Sequence, residues 1–214
     1  MPARLRPTAP NAADAILVGD PGRALMLAQE LLRQPQMSNH ARGLWGYSGV
    51  TPDGHELTVQ ATGMGGPSAT VVLRDLAELG VRRAIRIGTG AALGNLALGE
   101  LMVVGEARTP SRVAARPDAP LTEQLERAIR GVRSGVAISL DDLHDTERGA
   151  PSVLADVVDM QTAALLGAAA ELGIAAAALL IVTERSDSGQ LRDEDLEAAA
   201  RRAGRAASAA LVSA

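Results

Sequence analysis

The segment from Ile174 to Val182 constrains this chain more than any other, because it is apolar without a break and gives way at once to Thr183-Glu184-Arg185. It falls far short of the roughly 20 apolar residues that cross a bilayer, so it reads as a strand. A strand with no polar face needs cover on both sides, which puts it at the centre of a sheet between helices. Upstream, short apolar runs alternate with turns and helical spacing. Ala15 to Val18 passes through Gly19-Asp20-Pro21-Gly22 into a helix expected over Arg23 to Arg33, and Leu44 to Val50 forms a hairpin with Leu57 to Thr62 across Thr51-Pro52-Asp53-Gly54. Pro67 opens the next helix and Gly80 stops it. Ala84 to Ile87, Glu100 to Ala107, Gly135 to Ser139 and Val153 to Val158 read as strands, and Leu121 to Arg130, Met160 to Leu172 and Leu191 to Val212 as helices. The alternation predicts one α/β domain over 1–214, with helices on both faces of its sheet.

Composition narrows what such a domain does. With 47% hydrophobic and 21% charged residues in 214, the chain buries a real core. Its net charge of -4 gives no general attraction to nucleic acid or anionic membrane, and neither is expected as a partner. Cysteine is absent, which excludes disulfides, thiolate metal sites and cysteine nucleophiles. Met1 to Pro10 lacks a signal-peptide pattern and no apolar run reaches membrane length, so a cytoplasmic location is expected. Lysine is also absent, so every fixed cation is an arginine, and Trp45 and Tyr47 are the only aromatic side chains. His40, His55 and His144 lie far apart in sequence and no carboxylate cluster stands out, so no metal site is expected.

Four segments carry the chemistry. Gly19-Asp20-Pro21-Gly22-Arg23 follows the first strand, Gly63-Met64-Gly65-Gly66-Pro67-Ser68 opens a helix, Ile85-Arg86-Ile87-Gly88-Thr89-Gly90-Ala91 runs along and past a strand, and Val158-Asp159-Met160-Gln161-Thr162-Ala163-Ala164 spans a strand end and the start of a helix. The glycine run is wrongly spaced for the dinucleotide fingerprint, so a nicotinamide cofactor is not expected. In this order and spacing, from about Ile16 to Glu184, the four segments resemble the hexameric branch of the nucleoside phosphorylases, which includes uridine phosphorylase and bacterial purine nucleoside phosphorylase. The resemblance implies a three-layer αβα sandwich with a mixed central β-sheet. It implies a homodimer or a hexamer built as a trimer of dimers. The reaction it implies is attack of inorganic phosphate on the anomeric carbon of a nucleoside, giving free base and ribose 1-phosphate. Nucleoside and phosphate are then the partners, and phosphate is a co-substrate with no further cofactor.

Phosphate needs several fixed donors, best supplied by guanidinium forks and backbone amides. By resemblance these are Gly19, Arg23, Arg86 and Thr89, with Arg42 reaching in from a neighbouring subunit. Met64, Asp159, Met160 and Gln161 are implied at the ribose. Glu184 is implied as the proton donor to the leaving base, with Asp187 in reserve and Arg86 as the catalytic cation. Gly90, Leu143 and His144 are implied at the base.

The chain departs from the family at several of these places. Gln161 replaces the second carboxylate of the ribose motif, and a neutral amide stabilises a developing oxocarbenium charge less. Asp159 is one methylene shorter than the family's glutamate. The Gln-x-Arg pair with which uridine phosphorylases read uracil is missing from Leu140 to Asp145, and Leu143 stands where an aromatic residue is usual. No N-terminal histidine is present to reach a neighbour's site. Gly43, next to Arg42, replaces the glutamate that holds a monovalent cation in some relatives. A catalytically weak paralogue that binds nucleoside or phosphate is therefore one alternative, and a nucleosidase that uses water is another.

Overall fold

The computed structural model describes residues 4–111, 114–142 and 155–213. β1 (Asp14–Val18) leads into α1 (Pro21–Leu31), where the Asp20 carboxylate caps the first turn by accepting from the Arg23 backbone N–H at 2.7 Å. The chain then enters β2 (Arg33–Asn39), where the sequence predicts only the end of a helix. Leu32 is already extended, and Pro35 cannot donate to a ladder, but β2 is the outermost strand of the sheet and an edge tolerates that loss. β3 (Gly46–Val50) and β4 (Glu56–Ala61) form the expected antiparallel hairpin.

After it come α2 (Gly66–Glu78), β5 (Arg83–Ala92), β6 (Leu101–Arg108) and the short β7 (Ala114–Ala115). α3 (Ala119–Ala128), β8 (Arg133–Ser139) and β9 (Val157–Asp159) follow. The chain ends with α4 (Thr162–Leu172), β10 (Ala175–Arg185), β11 (Gly189–Gln190) and α5 (Asp193–Val212).

The strands form one mixed sheet in the order β11-β10-β6-β8-β9-β5-β1-β4-β3-β2. β10 also pairs with β5, so β5, β10, β6, β8 and β9 close on themselves as a small barrel at one end of the sheet. Side chains alternate across it. Ile16, Val18, Leu179 and Ile181 point to a core shared with α1, α3 and α5, while Leu17, Leu180 and Val182 point to a core shared with α2 and α4. The expected three-layer αβα arrangement is the one observed. Each fully buried Leu or Ile in these layers contributes about 1.5–3 kcal/mol.

This topology makes an opening in the sheet. β1, β4 and β5 run parallel and end on the same side. β5 stays with β1 only as far as Ile87 and joins β9 only at Ala91, so the residues between lie where the sheet divides. Ligands of α/β folds bind beyond the carboxyl ends of strands at such places.

Candidate functional site

A cavity of about 150 Å³ occupies that opening. Gly19 and Arg23 line it after β1, Gly63 to Gly65 after β4, Arg86, Gly88 and Thr89 along β5, and Asp159 to Gln161 after β9. All four segments singled out in the sequence therefore meet at one place. α1, α2 and α4 all begin at its wall, so three helix N-termini add positive potential there.

Arg86 lies at the floor with 4% of its surface exposed. Its Nε–H donates to Thr162 Oγ1 at 3.1 Å, Nη1 to Gln161 Oε1 at 2.7 Å and Nη2 to Asp159 Oδ2 at 2.9 Å. A guanidinium carries five N–H donors, so two of its hydrogens remain for a ligand. The side chain packs over Gly88, where a Cβ would stand 2.6 Å from Nη2, and this is why the strand has glycine there.

Asp159, implied at the sugar, is placed behind Arg86. It is 1% exposed, and its carboxylate accepts from Ser139 Oγ at 2.5 Å, from Thr162 Oγ1 at 2.5 Å and from the Thr162 backbone N–H at 3.0 Å as well as from Arg86. The carboxylate thus collects the first N–H of α4, which starts at Thr162 rather than at the expected Met160 and whose N-cap, Gln161, makes no side-chain capping bond. Ser139 and Thr162 are site residues that sequence reasoning missed. The Asp-x-x-Thr spacing from 159 to 162 was the available signal, since an aspartate side chain can accept from the backbone N–H three residues on.

Arg23 differs from Arg86. It is half-buried at the cavity wall, and among the described residues its guanidinium has no hydrogen-bonded or ion-paired acceptor. Burial holds its pKa below the usual arginine value and the nearby Arg86 charge lowers it further, while Asp20 acts in the opposite sense. Arg86 is paired with Asp159, whereas Arg23 has the Asp20 charge nearby but no ion pair among the described residues, so the cavity presents a cation without a bonded counter-ion. Thr89 adds a half-buried hydroxyl with no partner among the described residues.

The remaining expected residues fall elsewhere or at the rim. Met64 is 84% exposed at the cavity mouth, and Met160 lies half-buried on the wall. Gly90 does not line the cavity. It lies against β9, where a Cβ would meet Val157 Cγ1 at 2.5 Å and the Val158 carbonyl at 2.6 Å. Arg42 sits on an exposed turn in a left-handed conformation (φ 61°), outside the cavity of its own chain. Glu184 is exposed and accepts from the Gln190 amide at 2.9 Å. Asp187 is exposed and bound by Arg185 at 2.6 Å, and that guanidinium, with Ser188, holds its carboxyl well below the usual carboxylate range. Neither acid lines the cavity. Leu143 and His144 lie outside the described residues.

A family model described as the phosphorylase superfamily matches residues 14–214. Several curated proteins are similar over most of their length, each carrying the name "Purine nucleoside phosphorylase DeoD-type". That of Geobacillus sp. (strain WCH70) is 34% identical over 200 residues, covering 83% of this chain and 84% of its own. That of Chromobacterium violaceum is 31% identical over 199 residues, covering 84% of each. That of Alkaliphilus metalliredigens (strain QYMF) is 30% identical over 194 residues, covering 81% of this chain and 83% of its own.

Proposed function

The chain belongs to the phosphorylase superfamily, and from this premise we propose that it is a nucleoside phosphorylase, a pentosyltransferase that cleaves an N-glycosidic bond with inorganic phosphate. The observation that carries the reading is Arg23, a half-buried cation without a bonded acceptor among the described residues, beside the two uncommitted N–H groups of Arg86. Leaving a desolvated charge unpaired is costly, and a dianionic oxyanion bound between the two guanidinium groups removes that cost. Relatives named for purine nucleosides favour a purine as the base.

The reaction follows from this placement. As the bond from the anomeric carbon to the base nitrogen lengthens, its electron pair leaves with the base and the sugar ring becomes cationic. Phosphate held by Arg23 and Arg86 presents an oxygen to the anomeric carbon, and its charge stabilises the cation until the new C–O bond forms. The products are the free base and the sugar 1-phosphate. No electron enters or leaves, so the chemistry requires no redox cofactor.

Water is a poor alternative nucleophile here. Asp159 is the only carboxylate on the described cavity wall, and its oxygens are already filled by donors, so no free carboxylate among the described residues is placed there to activate water. Of the two acids considered for protonating the leaving base, Glu184 is the proposed donor, because the Asp187 carboxylate is bound by Arg185 and Ser188, whereas among the described residues Glu184 accepts only from the neutral Gln190 amide. The proposal includes a dimer or hexamer in which Arg42 serves a neighbouring copy, and it includes a cytoplasmic location. In support, Arg42 lies exposed and away from its own cavity, the chain has no cysteine, and no helix among the described residues is long and apolar enough to cross a membrane.

Release of free base from a panel of nucleosides, followed with and without inorganic phosphate, tests the reading. Cleavage is expected only with phosphate, with sugar 1-phosphate appearing in step with base. Equal rates in its absence would mean hydrolysis.

A further inference from the structure

Gln161 stands where the family resemblance implies a carboxylate, and the structure gives the amide a use that a carboxylate could not serve. The side chain is 3% exposed, and three of its four hydrogen-bonding positions are filled by Arg86, Gly63 and Gly65. Oε1 accepts from Arg86 Nη1 at 2.7 Å and lies 3.3 Å from Thr62 Oγ1, whose single proton has a nearer acceptor in the Val18 carbonyl at 3.1 Å. Nε2 donates to the carbonyl of Gly63 at 2.6 Å and to that of Gly65 at 3.2 Å. The partners fix the orientation of the amide, since Arg86 only donates and the two carbonyls only accept.

Gly63 and Gly65 both have positive φ, 72° and 79°, so their carbonyls are turned to where a donor can collect them. Gly66, which follows, packs so closely on Ala164 of α4 that a Cβ would come within 2.8 Å of its methyl. Gln161 therefore joins the floor of the cavity to the turn that forms its lip. A glutamate here would set an anion against two carbonyl oxygens. It would also give the Arg86 guanidinium a second carboxylate beside Asp159 and reduce its attraction for any oxyanion.

We propose that Gln161 is a positioning residue that clamps Arg86 to the Gly63–Gly65 turn, and that its neutrality leaves Arg86 the charge with which to hold phosphate. The oxyanion half of this rests on the phosphorylase reading; the clamp does not.

The test uses the full-length protein and its variants Gln161→Glu and Gln161→Met, with three measurements: hydrogen exchange of the backbone amides of residues 62–68, calorimetric affinity for inorganic phosphate, and steady-state kinetics with phosphate varied. Both variants are expected to exchange that segment at least tenfold faster, because both lose the donors to Gly63 and Gly65. Gln161→Glu is expected to weaken phosphate binding about tenfold or more, seen also as a raised KM for phosphate, and Gln161→Met to weaken it by less because it adds no charge. Unchanged exchange in both variants overturns the clamp. A Gln161→Glu protein that binds phosphate as tightly as the parent and turns over faster overturns the role of neutrality. Should Gln161→Glu not fold, Gln161→Met decides the clamp, and a loss of phosphate affinity in it as large as that of Arg23→Met would overturn the charge argument. If the parent neither binds phosphate nor uses it, the phosphorylase reading and the oxyanion half fall together, and exchange still decides the clamp.

Discussion

Two arginines share one cavity with opposite surroundings. Arg86 is enclosed by acceptors from three directions, so its charge is largely spent within the protein. Arg23 is desolvated, attracted by Asp20 and less strongly repelled by Arg86, and unpaired among the described residues, an arrangement that serves a ligand at the expense of the empty protein. Replacing Arg23 with Met should therefore separate stability from function. In phosphate-free buffer Arg23→Met is expected to be more stable by about 0.5–2 kcal/mol, a rise in Tm of about 2–4 °C per kcal/mol for a chain this size. The parent should gain about 2.7 kcal/mol when phosphate is 100 times its Kd, whereas Arg23→Met should gain almost nothing. Thermal melts of both proteins with and without phosphate measure the two effects. A variant that is destabilised yet still responds to phosphate would show that Arg23 is a structural cation.

Among the elements, α1 and α5 hold one face of the sheet and are tied by Glu30, which accepts from Arg205 Nη1 at 2.6 Å and from Arg201 Nη1 at 2.7 Å. The Arg205 bond foremost, and the Arg201 bond next, hold the Glu30 carboxyl below its ordinary range. A depressed folded-state pKa means that the contribution is complete above the unfolded value of about 4.3 and is lost as pH falls through the folded value. Glu30→Gln is expected to cost about 0.5–1 kcal/mol at pH 7, as partly exposed pairs do. Urea denaturation at falling pH should find parent and variant converging below the ordinary carboxylate range, and a gap that persists there would assign the effect to packing.

Elements were also where the sequence was most and least readable. Runs such as Ile174 to Val182 and turns such as Gly19 to Gly22 announce themselves, because apolar continuity and glycine are local signals. β2 was hidden because Arg33 to Asn39 is polar and contains Pro35, and only its edge position makes it a strand. The barrel closure was hidden because β9 is only three residues long and acquires meaning from partners distant in the chain. The site was readable to the same degree. Its four segments carry local motifs, but the bonds of Gln161 to Gly63, 98 positions away, and of Arg86 to Asp159, 73 away, leave no local trace.

For the whole molecule, a mixed sheet divides between Ile87 and Ala91, three helices begin at the gap, and one arginine is left there without a bonded partner among the described residues. The resulting cavity, at about 150 Å³, is small against the roughly 300–1,000 Å³ of pockets that enclose whole ligands. It suits an oxyanion with part of a sugar, and in the oligomer we propose Arg42 would extend it from a neighbouring copy. A larger hollow of about 340 Å³ lies near Arg33 and Glu56 toward the far edge of the sheet, where charges of both signs give an anion no preference. The most direct measurement is a difference electron-density map from crystals soaked in inorganic phosphate. A tetrahedral peak is expected within hydrogen-bonding distance of both the Arg23 and Arg86 guanidinium groups. A map with that cavity empty, or with phosphate bound only beside Arg33, would contradict it.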